Sequence, residues 1–219
     1  MTRKIGLTTW CIATGIAAAS ATWAAVPGTV ASFDVDEDGF VGSTIATVQI
    51  YVPNGGNPDG HVQIRKDLTT DFDIGTQNSV WPEFLGDYAA AGVTGGGFDL
   101  NVFNTTLDSA QLRLRRNVAE NGWHYDFGPV VPNANVWESY DVAFDPSWTD
   151  ALAAGNGWTQ ETGAPSFADL MQSVGWLEVR VINEGSAVVG VDNVRIVPEP
   201  ATLGLLMAGV LAVSRRRWF

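Results

Sequence analysis
The chain is nearly devoid of cysteine. Of 219 residues only Cys11 carries a thiol, and it lies in an apolar N-terminal stretch. The body after it can form no disulfide and do no thiol chemistry. Its stability must come from core burial, with or without a metal. Histidine is almost as scarce, with only His61 and His124. Two isolated histidines without a His-Glu-x-x-His run give zinc no ligand set. Gly-x-Ser-x-Gly, P-loop and Gly-x-Gly-x-x-Gly motifs are also missing, so the common nucleophile-elbow and phosphate-cradle chemistries have no foothold. Positive charge is the third shortage. Between residues 26 and 198 seven cations face 23 acids, a formal charge of −16. Such a body repels nucleic acid and anionic membrane surfaces. The last shortage is of long apolar runs. The C-terminal stretch from Val197 to Val213 is 17 residues long, against roughly 20 for an ordinary membrane span.

What is present begins with an export signal. "MTRK" is a basic start, "IGLTTWCIATGIAAAS" is apolar, and Ala19-Ser20-Ala21 fits small-x-small cleavage, with Thr22-Trp23-Ala24 as the alternative. Residues 1–24 are read as a signal peptide. Residues 25–196 then form one domain by size.

That body reads as all-β. In "SAQLRLRR" Leu112 and Leu114 share one face and Arg113 and Arg115 the other; in "WLEVRVI" Leu177, Val179 and Val181 share a face. Further strands are expected in "TIATVQIYV", "HVQIRKD", "GGFDLNVF", "WHYDFGPV", "WESYDVAF" and "VVGVDNVRIV". Short strands without βαβ spacing point to an antiparallel sandwich or barrel. Two short helices are expected, in "DPSWTDALAAG" with an Asp cap and in "APSFADLMQSVG" with Ser166 at the cap.

Three groups of residues could carry function. Asp34, Asp36, Asp38 and Gly39 open like a calcium loop, but the twelfth position is Ile45 rather than Glu, which excludes a standard EF-hand. A Ca²⁺ site completed from elsewhere in the chain, or a solvated acidic loop, remains. Most of the six body tryptophans are expected in the core. Trp123 and Tyr125 in "NGWHYDFGP" are the candidates for stacking on a sugar ring. Carboxylate pairs such as Asp71/Asp73 and Glu138/Asp141 could in principle serve glycoside hydrolysis, but chance pairs are expected among 23 acids.

The C-terminus resembles the PEP-CTERM sorting signal of Gram-negative bacteria. Pro198-Glu199-Pro200, the apolar Ala201–Val213 and Arg215-Arg216-Arg217 match it in order. The resemblance implies a transmembrane helix over about 201–213 with the arginines held in the cytoplasm. It also implies transient inner-membrane insertion, cleavage by exosortase near the motif, and delivery to the cell surface or exopolysaccharide matrix. The body resembles laminin B-type jelly-rolls, relatives of the galactose-binding-like sandwiches, through "GGNPDGHV", "WPEFLGDY", "GGGFDLNV", "WESYDVAFDPSW", "SFADLMQSVGWLEVRV" and "VGVDNVRI". That resemblance implies an antiparallel jelly-roll and makes Asp192 a structural Ca²⁺ ligand with partners from Asp34–Asp38. The expected function is a non-enzymatic secreted protein with a glycan-binding or adhesive role. A purely structural matrix protein is the alternative, and a secreted glycan-acting enzyme the weaker third.

Overall fold
The computed structural model describes residues 24–44, 47–66, 73–133 and 136–199. The expected signal helix and the expected helix over 201–213 lie outside them. No described helix is long and apolar enough to cross a membrane.

Twelve strands follow in chain order: β1 (Val30–Ala31), β2 (Val41–Gly42), β3 (Thr47–Val52), β4 (His61–Lys66), β5 (Asp73–Asn78), β6 (Val93–Val102), β7 (Ser109–Arg115), β8 (Trp123–Asp126), β9 (Glu138–Ala143), β10 (Trp158–Gln160), β11 (Trp176–Ile182) and β12 (Val188–Pro198). They form two antiparallel sheets. The first runs β3-β4-β12-β6-β9, with β1 also on β12; the second runs β10-β8-β7-β11-β5-β2. This is the expected sandwich.

The alternation in sequence decides what lies between the sheets. Leu177, Val179 and Val181 pair with Leu114, Leu112 and Ala110, and all six are buried. From the first sheet Phe98, Leu100, Val189 and Val191 face them in one continuous core. A step of one residue along any strand moves to the opposite face, so the polar members of β7 and β11 share the outer side of the second sheet.

Among the described residues three α-helices occupy the connections, α1 (Tyr88–Ala91), α2 (Asp150–Gly155) and α3 (Phe167–Met171), with one 3-10 turn at Pro82–Phe84. Ser166 caps α3 through the Asp169 N–H, as the sequence suggests. The cap of α2 differs from expectation. Thr149 accepts from the Leu152 N–H, while Asp145 accepts from Ser147 N–H and hydroxyl in the preceding turn. A short carboxylate closes a turn two residues on as readily as it caps a helix.

Candidate functional site
The outer face of the second sheet is a layer of charged and polar side chains. Arg113 on β7 grips Glu161, which follows β10, with Nε–Oε1 2.6 Å and Nη2–Oε2 2.7 Å. Its remaining arm reaches Glu178 of β11 at 3.1 Å. Arg115 approaches the same Glu178 at 3.9 Å and lays its guanidinium over the Trp176 ring, 4.1 Å from the centroid. Arg180 lies 3.3 Å from Asp73 and 3.6 Å from Glu161, and His124 Nδ1 lies 3.5 Å from Glu161. Gly75 leaves the space for this packing, since a Cβ there would stand 2.7 Å from Ser43 Oγ and 3.1 Å from Glu178 Oε1.

Electrostatically the layer is balanced, with three arginines against Glu161, Glu178 and Asp73. Burial pushes the Glu161 pKa up, but His124, Arg113 and the Gly122 N–H outweigh it and hold the carboxyl well below its usual range. Hydrogen bonding is not balanced. Trp176 Nε1 and Arg115 Nε are buried donors with no partner, and Gln77 Oε1 and Gln111 Oε1 are buried acceptors with none. Such groups are uncommon in folded proteins unless water or a ligand completes them. The face is partly open to solvent, because the Arg180 side chain keeps 17% and Asp73 35% of its accessible surface.

Neither sugar-stacking candidate stands on this face. Trp123 pairs with Leu114 and Tyr125 with Leu112, so both point inward. Trp123 is 1% exposed. Its Nε1 donates to the Pro165 carbonyl at 2.9 Å, and its ring meets Phe167 edge-on at 5.2 Å. A ring enclosed in this way cannot stack on a sugar, which corrects the expectation for Trp123. Tyr125 is half-buried against Phe127 and Trp158. The residue between them, His124, reaches the outer face. Trp176, Gln77 and Gln111 were not singled out from sequence. For Trp176 the signal existed: if Leu177, Val179 and Val181 face inward, Trp176, Glu178 and Arg180 must face outward.

A second cluster joins the N-terminal loop to the first sheet. Asp192 on β12 is fully buried. Its Oδ2 accepts from the Asn57 N–H at 2.5 Å and its Oδ1 from its neighbour Asn193 at 2.7 Å. Burial pushes its pKa up to about 7, and the charges of Asp99 and Asp34 push the same way. Asp99 is better served. It accepts from Ser139, Asn57, Asn193 and Arg195, and these bonds override burial and lower its pKa. The three loop carboxylates each have a local partner: Asp34 accepts from the Ser32 hydroxyl, Asp36 from the Asp38 N–H and Asp38 from the Phe33 N–H.

Among the described residues no three carboxylate or imidazole groups could hold a metal by themselves. The charges that act on Asp192 are those of the carboxylates Asp99 and Asp34, and carboxylate oxygen suits a hard cation such as Ca²⁺ rather than zinc. Of the three loop aspartates, Asp34 is the one whose charge acts on Asp192. Asp99, Asn57 and Asn193 surround Asp192 and its bonds without any local motif that announces them.

Residues 197–217 match the PEP-CTERM protein-sorting motif. No curated protein matches the chain in sequence. Among solved structures, the family 11 carbohydrate-binding module of a cellulosomal cellulase of Clostridium thermocellum is similar, with a TM-score of 0.53 and 12% identity over 80% of this chain and 97% of that one. An exo-β-agarase gives 0.52 and 13% identity, over 79% of this chain but only 26% of its own. A Clostridium thermocellum xylanase 10B structure with CBM22-1 and GH10 modules gives 0.50 and 14%, over 80% and 29%. The chain therefore spans about a quarter of the agarase and nearly all of the isolated module. At these identities the likeness is one of fold alone, a β-sandwich jelly-roll.

Proposed function
We propose that the chain is an exported, non-catalytic glycan-binding domain, that the outer face of the second sheet is its binding surface, and that its sorting motif delivers it to the cell surface through exosortase. One observation carries the binding half: donors without partners on Trp176 and Arg115 and acceptors without partners on Gln77 and Gln111 belong to one charge-balanced sheet face. A hydroxyl both donates and accepts, so a neutral polyhydroxylated chain answers this face better than a carboxylate or phosphate, which only accepts. The likeness in fold to modules named for carbohydrate binding supports the same reading. Delivery to an exopolysaccharide matrix of a Gram-negative cell is the finer form of it.

Catalysis is not favoured. Glu161 and Glu178 are engaged by Arg113, Asp141 by Arg195, and Asp73 by Arg180. Carboxylates paired with arginine in this way are not placed to serve as the general acid that glycoside hydrolysis needs. The reading includes a structural Ca²⁺ held by Asp192 and Asp34. That ion would neutralise the raised Asp192 and tie the N-terminal loop to β12.

Affinity electrophoresis tests the binding surface. Residues 24–199 should be retarded in gels containing a neutral soluble polysaccharide. Trp176→Phe removes the indole N–H and Gln111→Ala the whole amide, both on the outer face and away from the core, and each should weaken retardation roughly 5- to 100-fold, the range for a lost buried hydrogen bond. Unchanged mobility across neutral polysaccharides, or variants that bind like wild type, would contradict the proposal.

A further inference from the structure
The outer face of the first sheet holds a second set of polar atoms without partners. Val189 and Val191 of β12 and Leu100 and Val102 of β6 are core residues, so Gly190 and Asn101 between them face outward. Across the strands Ile50, Gln63, Gly190 and Asn101 pair in one row. Trp137 directly precedes β9, where Glu138 pairs with Leu100, and so extends that row beyond Asn101. His61 opens β4 next to the core residue Val62 and faces outward with them.

Gly190 is what lets aromatic rings settle on this face. A Cβ there would stand 2.7 Å from Trp137 Cη2 and 3.0 Å from His61 Cδ2, so both rings rest against bare backbone. The Trp137 indole N–H donates to the Gly55 carbonyl at 3.1 Å, which fixes the direction of the ring. His61 meets Trp137 edge-on at 5.3 Å and tilts toward Phe103 at 6.3 Å. Trp137 and Phe103 are half-buried. Beneath them His61 is 4% and Asn101 2% exposed. Neither ring nitrogen of His61 has a hydrogen-bond partner, and Asn101 Oδ1 has none. Burial lowers the His61 pKa, and the nearby Asn54 backbone offsets only part of this without closing a hydrogen bond of good geometry.

A half-exposed ring beside unpaired polar atoms suits a neutral sugar. The apolar C–H face of the sugar packs on an aromatic ring, and its hydroxyls both donate and accept. A neutral imidazole offers one donor and one acceptor, and Asn101 Oδ1 a further acceptor. Water could answer the polar atoms but not the aromatic rim. We propose that this is a second glycan site, on the opposite face of the sandwich from the first, where an uncharged sugar ring stacks on Trp137 and its hydroxyls bond to His61 and Asn101. The site extends the glycan-binding reading above and shares no residue with the first face. It also differs in kind. On the first face the Arg115 guanidinium lies over the Trp176 ring and takes the place a sugar would need for stacking. Reaching His61 and Asn101 requires a small swing of Trp137, of the kind that side chains at binding surfaces commonly make. Two sites back to back let one domain join two glycan chains.

The test is fluorine NMR of the full-length protein, labelled with 5-fluorotryptophan in a zwitterionic detergent and titrated with cellohexaose, xylohexaose and agarohexaose. Trp137→Phe and Trp176→Phe identify the two signals. With at least one sugar the Trp137 signal should move, and it should still move in Trp176→Phe. Asn101→Ala should weaken the affinity read from it roughly 5- to 100-fold, the range for a lost buried hydrogen bond; an unchanged affinity would overturn the site. A Trp176 signal that moves while that of Trp137 stays in place overturns the second site and leaves the first. A Trp137 signal that moves alone supports the second site and removes the first. A Trp137 signal that no longer moves in Trp176→Phe reports one coupled site and overturns the proposal. No movement of either signal with all three sugars contradicts both readings.

Discussion
Asp192 is the residue in which the two halves of the account meet. Its carboxyl is buried on β12 beside Asp99 and Asp34, with two backbone N–H donors and a pKa raised to about 7. The linkage sign follows from that direction. A carboxyl with a raised folded-state pKa favours folding while protonated, and the advantage fades as pH climbs from its unfolded value near 4 through about 7. His61, whose pKa burial lowers, works the opposite way in part of this range, so a variant must isolate the effect. In EDTA, the Tm of wild type minus that of Asp192→Asn should shrink between pH 5 and pH 7.5. A constant gap would contradict the raised pKa. Added Ca²⁺ should raise the wild-type Tm at pH 7.5, and Asp192→Ala should remove that response; a melt indifferent to both EDTA and Ca²⁺ would exclude the ion.

At the scale of elements, the strands that alternate cleanly were legible in the sequence. β7 and β11 follow their Leu and Val spacing, and with them came the sandwich. β5 was not legible. In Asp73–Asn78 only Ile74 is apolar, and Thr76 and Asn78 face inward as polar groups. Thr76 finds its partner in Gln49 and Asn78 in the Val80 and Trp81 N–H groups, none of which a local pattern can announce. The site failed by one residue for a related reason. "WHY" names aromatics, but which of three consecutive residues faces outward depends on register with β7. Two glycines separate the steric constraints of these elements. Gly122 enters β8, and a Cβ there would overlap the Leu114 carbonyl. Gly122→Ala should destabilise by about 2–3 kcal/mol, read as a lower urea midpoint. Gly155 ends α2 with nothing within 4 Å of its Cβ position, so Gly155→Ala should be neutral or stabilise by up to about 1 kcal/mol. Equal effects of the two would contradict the packing described.

On the scale of the whole molecule, four of the seven cations between residues 26 and 198 are spent in largely buried ion pairs. Arg113, Arg115, Arg180 and Arg195 each keep under a fifth of their side-chain surface exposed and each faces a carboxylate. The outside is left to the acids. A strongly anionic exterior around a neutral hydrogen-bonding face should exclude anionic polymers and admit uncharged ones. Retention on a neutral polysaccharide should therefore change little up to ~0.5 M salt, where exposed charges are screened, and a sulfated polysaccharide should not be retained at low salt. Retention of the sulfated polymer at low salt that disappears as salt rises would contradict this charge distribution. The first and last described segments adjoin the same connection between β5 and β6, since the Val26 N–H donates to the Glu83 carbonyl and the Glu199 N–H to the Gly92 carbonyl.

The most direct test of the binding surface is an NMR titration that follows the indole N–H signals of the ¹⁵N-labelled domain with a neutral oligosaccharide. Trp176 Nε1 has no partner in the fold, whereas Trp123 Nε1 is held by the Pro165 carbonyl. The account expects the indole signal that vanishes in Trp176→Phe to move on titration while that of Trp123 stays in place. A Trp123 signal that moves while that of Trp176 does not, or no movement with any neutral glycan, would contradict it.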